Sequence, residues 1–332
     1  MNQVGVGIAI TGSGSATPQM VLDNHQLSQM VETSDEWIKT RTGIRERHLA
    51  DAEGSVSILA AEAAQGAIAM AGITASDLDL IILTTSTPDD LFGSATKIQA
   101  LLGASRAVAF DLTAACSGFV FGLVTASQFI RTGTYQNVLV IGADILSRWV
   151  DWSDRATCVL FGDGAGAVVL QASRSDRFLG FELKSDGTQN KSLQLAYMPQ
   201  NYEIVNGISV SKGNFQPITM NGKEVYRFAV QKVPEVIEKA LFQANLTIKE
   251  VDWLLLHQAN QRIIDAVAER LNIPNQKVLS NLARYGNTSA ASIPLVLDES
   301  VRQGKIQAGD AIVVSGFGAG LTWGAAVFRW GL

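Results

Sequence analysis

Residues 73–87 read ITASDLDLIILTTST, and residues 246–260 read LTIKEVDWLLLHQAN. Each passes through an Asp into an unbroken apolar run. Runs that are continuous rather than alternating are what strands covered on both faces require. NVLVIGAD (137–144) and DAIVVSGFG (310–318) have the same character. Helical patterns separate these runs: SILAAEAAQGAIAMAG (57–72), CSGFVFGLVTASQFIRTG (116–133), VYRFAVQKVPEVIEKALFQAN (225–245) and TSAASIPLVLDESVRQGK (288–305). Pro234 and Pro294 are expected to start, bend or bound helices. The alternation predicts an α/β fold.

The order of elements also repeats. After 73–87 come VAFDLTAAC, a helix, GTYQNVLVIGAD and the glycine-rich LFGDGAGAVVL. After 246–260 come KVLSNLARYGN, a helix, KIQAGDAIVVSGFG and LTWGAAVFRW. Two related halves, 1–175 and 176–332, are therefore expected, joined by a pseudo-twofold axis. Cys116 and Asn287 then correspond, each ending a strand-like run and opening a helix. His257 ends the strand that matches residues 78–87. Open α/β sheets bind ligands at the carboxyl ends of their strands, so these three side chains are expected to meet.

Composition narrows the classes. The chain has 332 residues, 47% hydrophobic and 17% charged, with two cysteines and a net charge of −5. That argues against a general nucleic-acid binder and against a disulfide framework. The start, MNQVGVGIAITGSG, lacks the cationic head and long apolar run of a signal peptide. Asp111 to Arg131 holds no charge between its ends but carries Thr113, Ser117, Thr125, Ser127 and Gln128. It reads as a helix in a large core rather than a membrane span.

Each candidate has a bland reading beside the chemical one. A free cysteine is usually packing. Cys116, however, follows Thr113, Ala114 and Ala115 at a helix start, where amide dipoles favour a thiolate. Cys158, in the strand-like ATCVLFGDG, reads as structural. His25 and His48 sit among polar residues and read as exposed. His257 is either a satisfied core histidine or part of a site. Asn287, before Thr288 and Ser289, is an ordinary N-cap on one reading and a site residue on the other. GSGSAT (12–17), FGDGAG (161–166) and GFGAG (316–320) lack the strand–turn–helix context of a dinucleotide site. They suit tight turns whose amides face a cavity. No Cys/His spacing fits a metal.

Together AACSGF at Cys116, HQANQRI at His257, YGNTSAAS at Asn287, FGDGAGA, GFGAGLTWG and SDEWIKTRTGIRERH (34–48) resemble the β-ketoacyl-acyl carrier protein synthase III family. The resemblance spans nearly the whole chain. It implies a five-layered αβαβα thiolase fold, a cytoplasmic homodimer, and no cofactor or metal. Cys116, His257 and Asn287 would be the catalytic triad, with the amides of Cys116 and Ala319 as oxyanion hole. Ala319 stands where many members have glycine, but only its N–H is needed. Trp37, Arg41, Arg155 and Asn260 would bind CoA, and Arg262 and Arg227 would dock acyl carrier protein. Phe92 resembles the residue that crosses the dimer to limit the acyl pocket. The implied substrates are a short acyl-CoA, such as acetyl-CoA, and malonyl-acyl carrier protein. A thiolase would need a second catalytic cysteine. The rival readings are a polyketide-type synthase with the same triad and a non-catalytic acyl-binding protein of the same fold.

Overall fold

The computed structural model describes residues 5–332. Ten strands form two five-stranded sheets. In the first half β1 (Gly7–Ala16), β2 (Leu80–Thr84), β3 (Val108–Leu112), β4 (Asn137–Asp144) and β5 (Gly164–Ser173) lie in the order β1-β5-β4-β2-β3. In the second, β6 (Phe178–Ser185), β7 (Trp253–Leu256), β8 (Val278–Leu279), β9 (Ala311–Gly318) and β10 (Thr322–Arg329) repeat it as β6-β10-β9-β7-β8. Seven helices matter here: α1 (Asp35–Thr42), α2 (Val56–Met70), α3 (Ala95–Leu102), α4 (Gly118–Arg131), α5 (Gly222–Ala244), α6 (Gln261–Arg270) and α7 (Ser292–Arg302).

The unbroken apolar runs follow from the layering. In β2, Leu80 and Ile82 join one core with α4, α7 and the second sheet, while Ile81 and Leu83 join another with α2 and α3. Leu254 and Leu256 of β7 pack with α5 and α6, and Leu255 turns to the central core. The layers are thus α2/α3, sheet, α4/α7, sheet, α5/α6, the five-layered thiolase arrangement. No helix of the described residues is long and apolar enough to cross a membrane.

The repeat extends to single hydrogen bonds. Thr74 with Asp77, and Thr247 with Glu250, form capping boxes ahead of β2 and β7. Asp79 accepts the Asn137 amide at 3.0 Å, and Asp252 accepts the Ala311 amide at 2.8 Å, each locking two neighbouring parallel strands. Leu80 pairs with Val138 as Trp253 pairs with Ile312, so the register is shared.

Several local expectations are corrected. GSGSAT is not a turn, because its first residues complete β1. Gly12 and Gly14 are there for helix approach: a Cβ would lie 2.2 Å from the Ala67 carbonyl and 2.1 Å from that of Ala63. Gly180 of β6 meets Ala240 of α5 at 2.6 Å in the same way. Cys158 ends a short helix, Arg155–Cys158, rather than lying in a strand. His48 is half-buried, with Nδ1 2.6 Å from the Pro18 carbonyl and its ring against Tyr285. Pro234 lies inside α5 and leaves the Val230 carbonyl without its helical donor; Arg270 Nη1 fills that role at 3.2 Å. Pro294 sits in the first turn of α7, where proline is tolerated.

The largest correction concerns symmetry. KVLSNLARYGN is no single strand: it holds the two-residue β8, a turn of helix at Leu282–Tyr285, and then Asn287 in a bridge to Phe161. The true equivalents lie three residues on. A 3₁₀ turn at Ala115–Ser117 leads into α4, and one at Ser289–Ala291 leads into α7. Both turns open on a left-handed residue, Ala115 at φ 47° and Ser289 at φ 51°. Cys116 is therefore matched by Ala290, not by Asn287.

Candidate active site

The 3₁₀ turn into α4 delivers Cys116 to the molecular centre, 8% exposed, where two cavities meet. The first, about 460 Å³, is lined by Cys116, His257, Asn287, Phe317, Asn260 and Arg262 among others. The second, about 980 Å³, runs from Cys116 past Ala319 and Thr113 to apolar Leu195, Phe215 and Phe92. The three residues expected to converge do so, although the symmetry used to argue for it was misaligned.

His257 follows β7 and is 2% exposed. Its amide donates to the Ser315 carbonyl at 2.8 Å, and its Nδ1 lies 2.7 Å from Ser292 Oγ. Phe317 packs edge-on, with ring centroids 5.4 Å apart. Burial pulls the imidazole down to about 3, so it is neutral near pH 7. Asn287 is held on both sides of its backbone: its amide donates to Leu160, and its carbonyl accepts from Gly162 at 3.0 Å. Its Oδ1 accepts the Ser289 amide at 2.9 Å. Its Nδ2 donates to no protein group among the described residues.

Burial pushes the Cys116 thiol up to about 12, opposite to the lowering expected from the helix start alone; the neighbouring Asp144 charge adds to the rise. The Ser289 hydroxyl, 3.4 Å from Sγ, works against it. The resting side chain is a thiol. Gly318 controls the space beside it: a Cβ there would stand 2.6 Å from the Cys116 amide nitrogen. Only glycine leaves that N–H open to a ligand. Ala319, next in the chain, lines the second cavity.

Trp37 on α1 lies between two cations, with Arg155 Cζ 4.9 Å and Arg41 Cζ 5.6 Å from its ring. The Arg41 carbonyl accepts from Asn260 Nδ2 at 3.1 Å, tying this cluster to the first cavity. Asn260 Oδ1 caps α6 through the Arg262 amide. Arg262 is exposed over Tyr226, 5.9 Å from its ring. Arg227 lines no part of the first cavity. It faces a neighbouring hollow with Lys223 and Arg270, two cations that sequence reasoning missed. Phe92 is 99% exposed at the mouth of the second cavity. Ser289, Ser292, Gly318 and Asp144 were also missed. Only the three-dimensional match of the two helix starts brings them to notice. Among the described residues no cluster of three or more His, Cys, Asp or Glu side chains could hold a metal ion.

Fold and site together define a thiolase-fold condensing enzyme, an acyltransferase. Comparison with known proteins agrees. Residues 110–187 match the family described as 3-Oxoacyl-[acyl-carrier-protein (ACP)] synthase III, and residues 241–330 match its C-terminal part. The chain is 74% identical over 326 residues to Beta-ketoacyl-[acyl-carrier-protein] synthase III of Trichormus variabilis, covering 98% of this chain and 99% of that one. It is 68% identical to the Microcystis aeruginosa protein of the same name over the full length of both. The crystal structure of 3-oxoacyl-[acyl-carrier-protein] synthase III from Aquifex aeolicus superposes with a TM-score of 0.90 at 44% identity, covering 98% of this chain and 100% of that one. The chain belongs to the β-ketoacyl-[acyl-carrier-protein] synthase III family.

Proposed function

We propose that the chain performs the initiating condensation of fatty-acid synthesis. It takes the acyl group of a short acyl-CoA, such as acetyl-CoA, onto Cys116. It then condenses that group with malonyl-acyl carrier protein to give 3-oxoacyl-acyl carrier protein, CoA and CO₂. The observation that carries this reading is the single cavity lined by Cys116, His257 and Asn287.

In the first step the Cys116 sulfur attacks the thioester carbon. The oxyanion is held by the amides of Cys116 and Ala319, in the space that Gly318 leaves open. Each such donor is worth about 3–4 kcal/mol. Trp37, Arg41 and Arg155 hold the CoA nucleotide by stacking and charge, and Asn260 meets the pantetheine arm at the cavity wall. In the second step malonyl-acyl carrier protein loses CO₂ and leaves an enolate on the thioester oxygen. His257 Nε2–H and Asn287 Nδ2 donate to that oxygen. Ser292, already accepting the Gln258 amide at 3.2 Å, donates to His257 Nδ1 and so keeps the proton on Nε2. A neutral donor suffices, and the steps call for no metal or cofactor. The enolate carbon attacks the acyl-cysteine, and decarboxylation drives the condensation.

Arg262 and Arg227, with Lys223 and Arg270 beside them, form a basic rim for the acidic carrier protein. Phe92, exposed at the second cavity, reaches the acyl pocket of a second copy, so the working unit is a homodimer in the cytoplasm. Residues 1–175 carry the nucleophile, and 176–332 carry the histidine and asparagine.

Radiolabelled acetyl-CoA tests the reading. An acid-stable label on Cys116, lost in Cys116→Ser, is expected. Condensation retained in Cys116→Ser, or a label on another residue, overturns it.

A further inference from the structure

The pseudo-twofold axis exposes a buried acid for which the scheme above has no use. β4 and β9 match residue for residue over eight positions, so Asp144 at the end of β4 corresponds to Gly318 at the end of β9. Gly142 and Gly316 also correspond. A Cβ on the first would strike the Ala290 carbonyl at 2.2 Å, and one on the second would lie 3.2 Å from the Cys116 carbonyl. At Gly318 the matched space is open beside the Cys116 amide. At Asp144 it is filled by a carboxyl group, whose Oδ2 accepts the Ala290 amide at 3.2 Å. Since glycine serves this strand end in one half, the architecture does not itself demand an acid there.

Asp144 is fully buried. Its Oδ1 takes the Ser86 amide at 2.8 Å, Thr87 Oγ1 at 2.9 Å and Thr85 Oγ1 at 3.1 Å. The Ser289 hydroxyl also bonds to this carboxyl group. The same hydroxyl lies 3.4 Å from Cys116 Sγ. Ser289 is fixed there by its left-handed backbone and by its amide bond to Asn287 Oδ1. A hydroxyl has one hydrogen and two lone pairs, so it can give to the carboxylate while accepting from the thiol.

We propose that Ser289 and Asp144 form a proton relay that takes the thiol proton of Cys116 as the acyl group arrives and returns it when the product leaves. The proposal rests on Cys116 being the nucleophile. In acylation the S–H bond breaks and its proton goes to Ser289 Oγ, while the Ser289 proton passes to Asp144. The sulfur electron pair forms the C–S bond, and CoA departs as a thiolate that takes a proton from water. In condensation the C–C bond forms, the C–S bond breaks, and the sulfur recovers the proton from Asp144 through Ser289. No other reactant is needed.

The surroundings suit this task. The donors from residues 85–87 and from Ala290 are neutral, and no Lys or Arg among the described residues pairs with Asp144. The titratable groups facing the relay are Cys116 and, beyond it at the end of β7, His257. Asp111, across the larger cavity, is held by the Ser94 and Ala95 amides. Burial raises the Asp144 carboxyl, which helps it keep a proton, and pulls His257 down to about 3, which makes it a poor acceptor.

The test follows two reactions of Cys116 from about pH 6 to 10: acylation by acetyl-CoA and alkylation by iodoacetamide. Ser289→Ala is expected to slow acylation about 100-fold near neutral pH. The deficit should shrink as pH rises and hydroxide replaces the relay. Ser289→Thr should restore most of the rate, and Asp144→Asn should reproduce the pH-dependent loss. If Asp144→Asn does not fold, Ser289→Ala alone decides. A Ser289→Ala profile that superimposes on the wild type overturns the relay, as does a deficit of equal size at every pH. Absence of acyl label from wild-type Cys116 would instead overturn the function proposed above, and the alkylation profile would still report on the relay.

Discussion

The two 3₁₀ turns at 115–117 and 289–291 share a backbone and differ in use. Each opens on a left-handed residue, packs over a strand glycine, and runs into a central helix. At the first, Cys116 faces the space beside Gly318. At the second, Ala290 replaces the cysteine, and its amide is taken by Asp144. Across the sheets, His257 with Ser292 on one side answers to Thr84 with Gly118 on the other. One framework thus serves twice, and a handful of side chains decide which copy receives a thioester.

Copying the second turn's solution into the first should have the largest effect. Gly318→Asp would put a carboxylate where the oxyanion belongs. Acylation should fall at least about 1,000-fold, with the melting profile retained. A variant that acylates within about tenfold of wild type would show that the Cys116 amide is not a donor to the reaction.

His257→Ala and Asn287→Ala, each assayed separately, probe what the second half adds. Decarboxylation of malonyl-acyl carrier protein should drop by about 100- to 1,000-fold while labelling of Cys116 persists. Normal decarboxylation in either variant would place the enolate elsewhere.

Acid stability distinguishes His257 from its counterpart Thr84. The folded histidine, held down to about 3, stays neutral where the unfolded one, near 6.5, takes up a proton. Its contribution is therefore complete above pH 6.5 and is lost as pH falls toward 3. The limiting slope is about 1.4 kcal/mol per pH unit. Urea melts of His257→Gln should be flatter than wild type across that window; parallel curves would mean that the imidazole is not shielded as described.

The smallest effect belongs to the rim. Arg262→Ala should raise KM for the carrier protein severalfold, leave kcat for acetyl-CoA transfer unchanged, and flatten the salt dependence. An unaltered salt dependence would remove Arg262 from the docking surface.

Much of the architecture was legible before any coordinates. Leu80–Thr84 and Trp253–Leu256 announced buried strands because both of their faces are covered, and the repeated order announced two halves. The position of Cys116 at a helix start was equally plain. The glycines of β1 were misread because a strand glycine that admits a helix looks, in one dimension, like a turn glycine. The three-residue error in matching the halves has a similar origin. Its marker is a left-handed φ at Ala115 and Ser289, and neither residue is the glycine that would have signalled it.

The sequence by itself determined the periodicities, the order of elements and the identity of the reactive groups, because these depend on neighbours along the chain. Tertiary structure alone decided which groups share a cavity. Ser289 and Cys116 are 173 positions apart in the chain yet 3.4 Å apart in space. It also decided their protonation: burial holds the thiol and the imidazole uncharged, and burial is set by what packs around a residue rather than by what precedes it.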